Sequence, residues 1–210
     1  MTTETISQNR IYVASLSDYN AGRLHGRWID ADIGADAIED EVKAMLAASP
    51  EAQLCQWCGD DIAPHTASGA RQERCRGWLP GLAEEWAIHD YDGDLAGIGL
   101  GEWESFEHVA ALAEFLTDKG AAGAAWLGLM GRDDMPDDDE LIEKFDEVYH
   151  GEYSSGAEFA ENWAEETGTL PDVDPNNPNH LLYYIDWEAY WHGEFDQAGW
   201  HIENGHVFSE

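Results

Sequence analysis

The strongest constraint on this chain is its negative charge. Its 210 residues include 44 Asp and Glu but only 10 Lys and Arg, which gives a formal net charge of −34. The imbalance is largest towards the C-terminus, because no Lys or Arg follows Lys144 while acidic residues continue from Asp146 to Glu210. A small domain needs a net charge of only about 2–8 in magnitude for solubility. A larger excess destabilises the compact state through self-repulsion.

Acid-rich chains with few aromatic residues usually stay unfolded, but this chain has the composition of a folded protein. It contains 10 Trp, 8 Tyr and 6 Phe, and 43% of its residues are hydrophobic. Its length allows one compact domain or two to three small ones. We expect no membrane span and no secretory signal, and three Cys are typical of a reducing compartment. The sequence therefore predicts a folded cytoplasmic protein.

The pattern of apolar and turn residues predicts an α+β fold. Strands are predicted at 11–16, 25–30 and 85–91, and helices at 36–48, 105–120, 121–130, 141–149, 155–168 and 186–191. Asp36, Ser105 and Asp186 are predicted to cap the helices that they precede, Ser155 to Glu158 form a predicted capping box, and Gly120 is predicted to stop the helix from 105. Asn204-Gly205 between two apolar runs predicts a β-hairpin. The order of these elements indicates three small domains in series: 1–101 (α+β, with an insertion at about 51–82), 102–144 (helical) and 145–210 (α+β).

The helix predicted after Ser155 carries acidic residues along one face. Glu158, Glu161 and Glu165 are spaced by three and four residues, where like charges cost about 0.2–0.5 kcal/mol each. Their rise of roughly 5 Å along the helix is comparable to the ~3.4 Å axial spacing of phosphates in one DNA strand. A merely solvated helix face would also be acidic, but it would not explain why the last third of the chain lacks Lys and Arg. The pattern indicates a partner that normally binds a polyanion.

We expect this acidic surface to extend along the whole chain. Its predicted members are Glu39, Asp40, Asp90, Asp92, Asp137, Asp138, Asp139, Glu158, Glu161, Glu165, Asp186 and Glu188. Nucleic acid is disfavoured as a partner, because the net field repels phosphate.

Four segments resemble the ArdA-type antirestriction proteins. They are Ile11–Asp30 (IYVASLSDYNAGRLHGRWID), Glu84–Tyr91 (EEWAIHDY), Glu165–Gly168 (EETG) and Tyr184–Tyr190 (YIDWEAY). The matches occur in order and span most of the chain, so the combination is specific although each segment alone would be weak.

The resemblance implies a non-enzymatic mimic of B-form DNA. Such proteins are elongated dimers of three small domains, are usually carried by mobile genetic elements, and occupy the DNA-binding groove of type I restriction–modification enzymes. Dimerisation through the C-terminal domain is implied, and we expect Tyr184, Trp187 and Trp191 at that interface. A dimer would carry twice the charge of one chain, which corresponds to on the order of 115 Å of duplex at one charge per ~1.7 Å.

Residues 51–82 depart from the family pattern, which passes almost directly from the helix to the EEWAIHDY segment. A Cys-x2-Cys-Gly turn followed by His and Cys has the spacing of a zinc knuckle, and we predict one structural zinc ion. The predicted ligands are Cys55, Cys58, His65 and Cys75. His89 is the alternative fourth ligand, and three reduced thiols in a loop are the simpler interpretation. Three Arg between residues 71 and 76 place the insertion away from the acidic surface.

The main alternative is a halophilic enzyme or a zinc-binding regulator whose acidity is an adaptation to salt. Salt dependence distinguishes the two, because the binding of a DNA mimic weakens as salt rises, whereas a halophilic protein requires salt to fold. Enzymatic chemistry has little support: Asp90-x-Asp92-x-Asp94 begins like a calcium loop, but Leu95 replaces the required Gly. The sequence also contains no phosphate-binding Gly loop and no nucleophile elbow.

Overall fold

A computed structural model describes residues 9–54, 84–131, 134–170 and 181–210. The fold is a mixture of helices and two small sheets, consistent with the predicted α+β class. The chain clusters into two compact units, Met1–Asp118 (unit 1) and Lys119–Glu210 (unit 2). The division into three domains stays a prediction. Within the described ranges, no helix combines the length and the apolar character that crossing a membrane requires.

Unit 1 is built on an antiparallel sheet of three strands in the order β2-β1-β3. Its elements are β1 (Arg10–Ser15), α1 (Leu16–Asn20), β2 (Gly26–Asp30), α2 (Ala35–Ala47), β3 (Trp86–Asp92) and the first part of α3 (Phe106–Met130). Ile11 and Val13 alternate along β1 and are fully buried, and α2 packs on β1 and β2 through the face that buries Ile38, Val42 and Met45. The predicted strands and the predicted helix are therefore confirmed, each within one or two residues.

The helix ends of unit 1 and the break inside α3 follow the sequence signals with one exception. Ser105 caps α3 as predicted, because its Oγ accepts a hydrogen bond from the N–H of His108 at 3.1 Å. Gly120 interrupts α3 with φ 56° and ψ −138°, a conformation that favours glycine, so the predicted helix stop is confirmed. The predicted Asp36 cap is wrong: α2 begins at Ala35, and Gly34 occupies the N-cap position without a side-chain bond.

Unit 2 contains the second sheet, in the order β4-β6-β5. Its elements after α3 are α4 (Leu141–Val148), β4 (Tyr149–Glu152), α5 (Gly156–Glu166), α6 (Trp187–Glu194), β5 (His201–Glu203) and β6 (His206–Phe208). Asn204 (φ 51°) and Gly205 (φ 85°) form the turn between β5 and β6, which confirms the hairpin. The predicted helix over 141–149 is one residue too long, because Tyr149 pairs with Phe208 and begins β4.

The core of unit 2 is largely aromatic. Phe159, Trp191 and Phe195 form a buried cluster with two small aliphatic residues, and partly buried Trp and Tyr side chains pack against it. The Phe159 ring centroid lies 5.1 Å from that of Phe195 and 5.7 Å from that of Trp191, both edge-on, a favourable aromatic geometry. Gly156 is required next to this cluster, because a Cβ there would collide with the Trp191 indole.

Candidate functional site, an anionic surface

The described carboxylates lie on the surface of the protein. Among the described acidic residues only Asp18 is buried. Every residue predicted for the acidic surface is exposed except Asp92, which is half-buried. The exposed carboxylates occur in both units, on helices, strands and turns.

The few described cations are all engaged in ion pairs. The pairs are Arg10 with Asp92, Arg23 with Glu51 (2.9 Å), Arg27 with Glu41 (2.6 Å), Lys43 with Glu39 (2.9 Å), Lys119 with Asp146 (2.9 Å) and Lys144 with Glu147 (3.3 Å). Lys43 also lies 3.9 Å from Asp40. Glu39, Asp40 and Asp92 therefore have a positive charge beside them, and each contributes less to the surrounding field than the sequence pattern indicates.

The acidic face of α5 is held in place at the N-terminus of the helix. Ser155 Oγ accepts from the N–H of Glu158 at 3.2 Å, and Glu158 Oε2 accepts from the N–H and the Oγ of Ser154 at 2.7 and 2.6 Å. These hydrogen bonds keep the pKa of Glu158 below its ordinary value. The predicted cap is confirmed, although the Glu158 carboxylate binds Ser154 where a standard capping box would bind Ser155.

Glu161 and Glu165 continue this face with no cation of the described residues beside them. They lie on the exposed side of α5, whose other side buries Phe159, Ala160 and Ala164. Neither carboxylate pairs with a Lys or Arg in the described ranges. Like charges one turn apart repel each other, so the packing of the buried side has to hold this helix together.

The next helix, α6, carries a smaller acidic group. Asp186 caps it by accepting from the N–H of Ala189 at 3.0 Å, as predicted. His192 lies 3.0 Å from Asp196 and 3.5 Å from Glu188. The hydrogen bond with Asp196 raises the pKa of His192, so this imidazole gains a proton more readily than a free one.

The three aromatic residues predicted at a dimer interface have different surroundings. Tyr184 is 75% exposed, Trp187 is partly buried against the aromatic cluster, and Trp191 is only 4% exposed. Trp191 is therefore a core residue of its own chain, and the interface itself stays a prediction. Tyr184 has the most accessible ring of the three, and Trp187 is accessible in part.

Sequence reasoning missed one functional carboxylate, the buried Asp18. It accepts hydrogen bonds from Ser49 Oγ and from the N–H of Glu51 (3.0 Å). Burial disfavours its charged form, but hydrogen bonds from Ser49, Ser15 and Glu51 outweigh this and lower its pKa below 3.8. Asp18 thus fastens α1 to the segment that follows α2. The Ser15-x-x-Asp18 spacing of a helix cap was visible in the sequence, whereas partners 31 and 33 residues away were not.

The predicted zinc ligands Cys55, Cys58, His65 and Cys75 lie outside the described residues, so the zinc site stays a prediction. Within the described residues, no group of three or more His, Cys, Asp or Glu side chains is arranged to hold a metal ion.

Comparison with known proteins gives one clear match. A protein-family model described as "Antirestriction protein (ArdA)" matches residues 11–208. The match covers nearly the whole chain and includes the four segments on which the sequence resemblance rests. A search of curated proteins found no match.

Proposed function

The chain belongs to the ArdA antirestriction family, and we propose that it is a non-enzymatic mimic of B-form DNA that inhibits type I restriction–modification enzymes. It occupies the groove in which the enzyme holds its DNA. Its direct partner is the methyltransferase part of that enzyme, because this part binds the duplex in a positively charged groove.

One observation carries the proposal. Only one of the described carboxylates, Asp18, is buried, while every described Lys and Arg is already engaged by a carboxylate. A DNA-binding groove gains most of its non-specific affinity from Lys and Arg contacts with a dense row of negative charges. A rigid protein surface with excess carboxylates offers the same kind of contact without a nucleotide.

The mechanism follows from this charge distribution. Folding fixes the carboxylates on helices and strands, so the surface resembles a duplex more than an acidic random coil would. Binding releases the counterions of both partners, so the affinity falls as salt rises. The charge is spread over many groups, and neutralising one of them removes only a small part of the interaction.

The experiment is a methylation assay with a purified type I methyltransferase and a duplex that contains its site. We expect the protein to inhibit methylation competitively with DNA, and less strongly at higher salt. Inhibition that does not depend on DNA concentration would contradict mimicry. Inhibition that requires high salt would favour the halophilic alternative.

A pair of double variants tests whether the predicted surface matters beyond net charge. Glu161→Gln with Glu165→Gln neutralises the α5 face, and Glu152→Gln with Glu194→Gln removes the same charge from exposed positions outside the predicted surface. We expect the α5 double variant to inhibit less than the control. Each single change should alter the inhibition constant by less than about tenfold, since exposed pairs contribute at most about 1 kcal/mol. Equal effects of both double variants would remove α5 from the contact surface.

We also propose that the protein is a homodimer, with Tyr184 at the interface. An exposed Tyr on a small aromatic-rich unit is a suitable interface residue. Light scattering should give twice the mass of one chain, and Tyr184→Ala should weaken the association. Trp103→Ala, at a 65% exposed aromatic residue of unit 1, is the matched control. A wild-type monomer at micromolar concentration would contradict the dimer.

A further inference from the structure

Unit 1 contains an open groove between the turn that precedes α2 and the outer face of α3. It holds about 850 Å³ and is lined by Asp32, Ile33, Gly34, Ala35, Glu107, Ala110, Ala111, Glu114, Thr117 and Asp118. Small-molecule and side-chain sites usually have volumes of about 300–1,000 Å³. The groove is therefore large enough for more than one side chain of a partner.

The floor of the groove is apolar. The buried side of α3 takes Val109, Leu112 and Leu116, so the opposite side faces the groove. On that side Ala110 and Ala111 lie between the acidic residues, and their small side chains leave the space open. Ile33, which is 45% exposed, forms the opposite wall.

Carboxylates surround this floor. Glu107 and Glu114 are seven residues apart on α3, about 10 Å along the axis, and neither bonds to another described residue. On the other wall, Asp32 Oδ1 accepts from Thr117 Oγ1 at 3.2 Å. Burial and the nearby Asp30 raise the pKa of Asp32, against the effect of the Thr117 hydrogen bond. None of the described residues that line the groove is Lys or Arg.

We propose that this groove binds an extended Arg- or Lys-bearing segment of the protein partner, with the aliphatic stems on the alanine floor and the charged ends at Glu107 and Glu114. Long basic side chains have this dual character, since they cover apolar surface with their methylenes while the charged end stays among polar groups. The inference rests on the proposed function, because a DNA-binding enzyme presents such side chains in its groove. The apolar contact would add affinity that salt does not screen.

The first test fills the groove without changing its charge. Ala111→Phe occupies the floor, and Ala44→Phe places the same side chain at an exposed alanine of α2. We expect Ala111→Phe to weaken inhibition of the methyltransferase by about tenfold, at low and at high salt alike, because the lost contact is apolar burial. Ala44→Phe should stay within about twofold. Equal inhibition by Ala111→Phe and wild type, with both folded, would overturn the inference and leave the proposed function intact.

The second test measures binding directly, so that it does not depend on the enzyme. NMR on the full-length protein follows the Ala110 and Ala111 methyl signals during titration with the peptide Gly-Arg-Gly-Arg-Gly. The comparison peptide carries diaminopropionic acid in place of Arg, which keeps the positive charge and removes the stem. Spermidine and magnesium chloride serve as further probes. Ala110→Gln is a second groove variant in case Ala111→Phe does not fold.

We expect the Arg peptide to shift both methyl signals in the wild type. The remaining methyl signal, Ala110 in Ala111→Phe or Ala111 in Ala110→Gln, should no longer shift. The short-stemmed peptide should bind several-fold more weakly. Equal binding of the two peptides, or displacement of the Arg peptide by magnesium, would reduce the groove to a general cation site and overturn the inference. Tighter binding of spermidine than of the peptide would assign the groove to a free polyamine. A wild-type protein that binds the peptide but inhibits no type I enzyme would refute the proposed function alone.

Discussion

The two units of this protein carry their negative charge in different ways. In unit 1, Arg10, Arg23 and Arg27 pair with carboxylates that come from other elements, and Lys43 pairs along α2. In unit 2, the described cations lie before β4, and the sequence from β4 to the C-terminus contains no Lys or Arg. Unit 1 thus neutralises part of its own charge, whereas most of unit 2 does not.

The hydrophobic cores of the two units also differ in composition. Unit 1 buries mostly aliphatic residues on its sheet, such as Ile11, Ile38 and Leu112, whereas unit 2 packs around the aromatic cluster of Phe159, Trp191 and Phe195. Aromatic side chains bury large areas and add about 0.5–1.5 kcal/mol for each well-oriented pair. We infer that the aromatic core of unit 2 offsets the repulsion of a surface that has no Lys or Arg from β4 onwards. An acidic surface therefore tolerates the lack of Lys and Arg where the packing energy of the core offsets the charge repulsion.

The largest effect is expected from Phe159→Ala, which should lower the free energy of unfolding of unit 2 by about 3–5 kcal/mol. Salt should restore part of this loss, because it screens the repulsion that the weakened core no longer offsets. Leu112→Ala in unit 1 is the matched control, with a loss of about 2–5 kcal/mol and a weaker response to salt. Amide hydrogen exchange reports the two units separately. The same salt response in both variants would contradict the comparison.

The next effect concerns Asp18, the buried carboxylate among the described residues of unit 1. Asp18→Asn should lower the stability of unit 1 by about 1.5–3 kcal/mol at neutral pH, because hydrogen bonds to a charged acceptor are lost. The folded-state pKa of Asp18 lies below 3.8, so its contribution is complete above that value and is lost as the pH falls through the folded-state pKa. Urea unfolding of both proteins should therefore converge in acid. A constant difference down to the lowest pH would exclude the charged carboxylate as the cause.

Neutralising one carboxylate should raise the stability of unit 2 but lower that of unit 1. Glu165→Gln should stabilise unit 2 by about 0.2–0.5 kcal/mol, since it removes the repulsion with Glu161. Glu39→Gln should slightly destabilise unit 1, since it removes the exposed ion pair with Lys43. Paired urea titrations at low salt measure the change in the free energy of unfolding for each variant. Changes in the same direction would mean that ion pairing does not distinguish the units.

The smallest effect comes from His192, which can supply unit 2 with a positive charge. Its folded-state pKa is raised above 6.5 by Asp196, so its stabilisation is present below the unfolded-state value and is lost as the pH rises through the folded-state pKa. His192→Gln should remove this pH dependence while leaving the stability at high pH unchanged. Thermal unfolding across neutral pH measures the difference. A variant that keeps the wild-type pH profile would assign the dependence to another group.

Local signals in the sequence predicted most of the elements. The Ser105 and Ser155 caps, the Gly120 stop and the Asn204-Gly205 turn each depend on a few neighbouring residues, and the structure confirms them. Strand β4 was missed because Val148 and Tyr149 continue the apolar period of the helix before them. Its partner β6 lies more than fifty residues away, so only the folded chain decides between helix and strand there.

The candidate surface, too, could be predicted from the sequence only where it depends on neighbouring residues. Composition and helical spacing were sufficient to predict an exposed acidic face on α5. They could not show that Asp92 has a cation beside it, or that Asp18 is buried, because these depend on tertiary contacts. The pair of Glu39 with Lys43, four residues apart on α2, is local and could have been read from the sequence. For Trp191, sequence reasoning identified an aromatic-rich region but could not separate a core residue from an interface residue.

The most direct test of DNA mimicry is a pull-down of a purified type I methyltransferase by the immobilised protein, with and without saturating duplex DNA. We predict that the methyltransferase is captured at low salt and that duplex DNA displaces it completely, because both ligands occupy the same groove. Capture should also weaken as salt rises. A complex that holds the methyltransferase and duplex DNA at the same time would contradict the proposal.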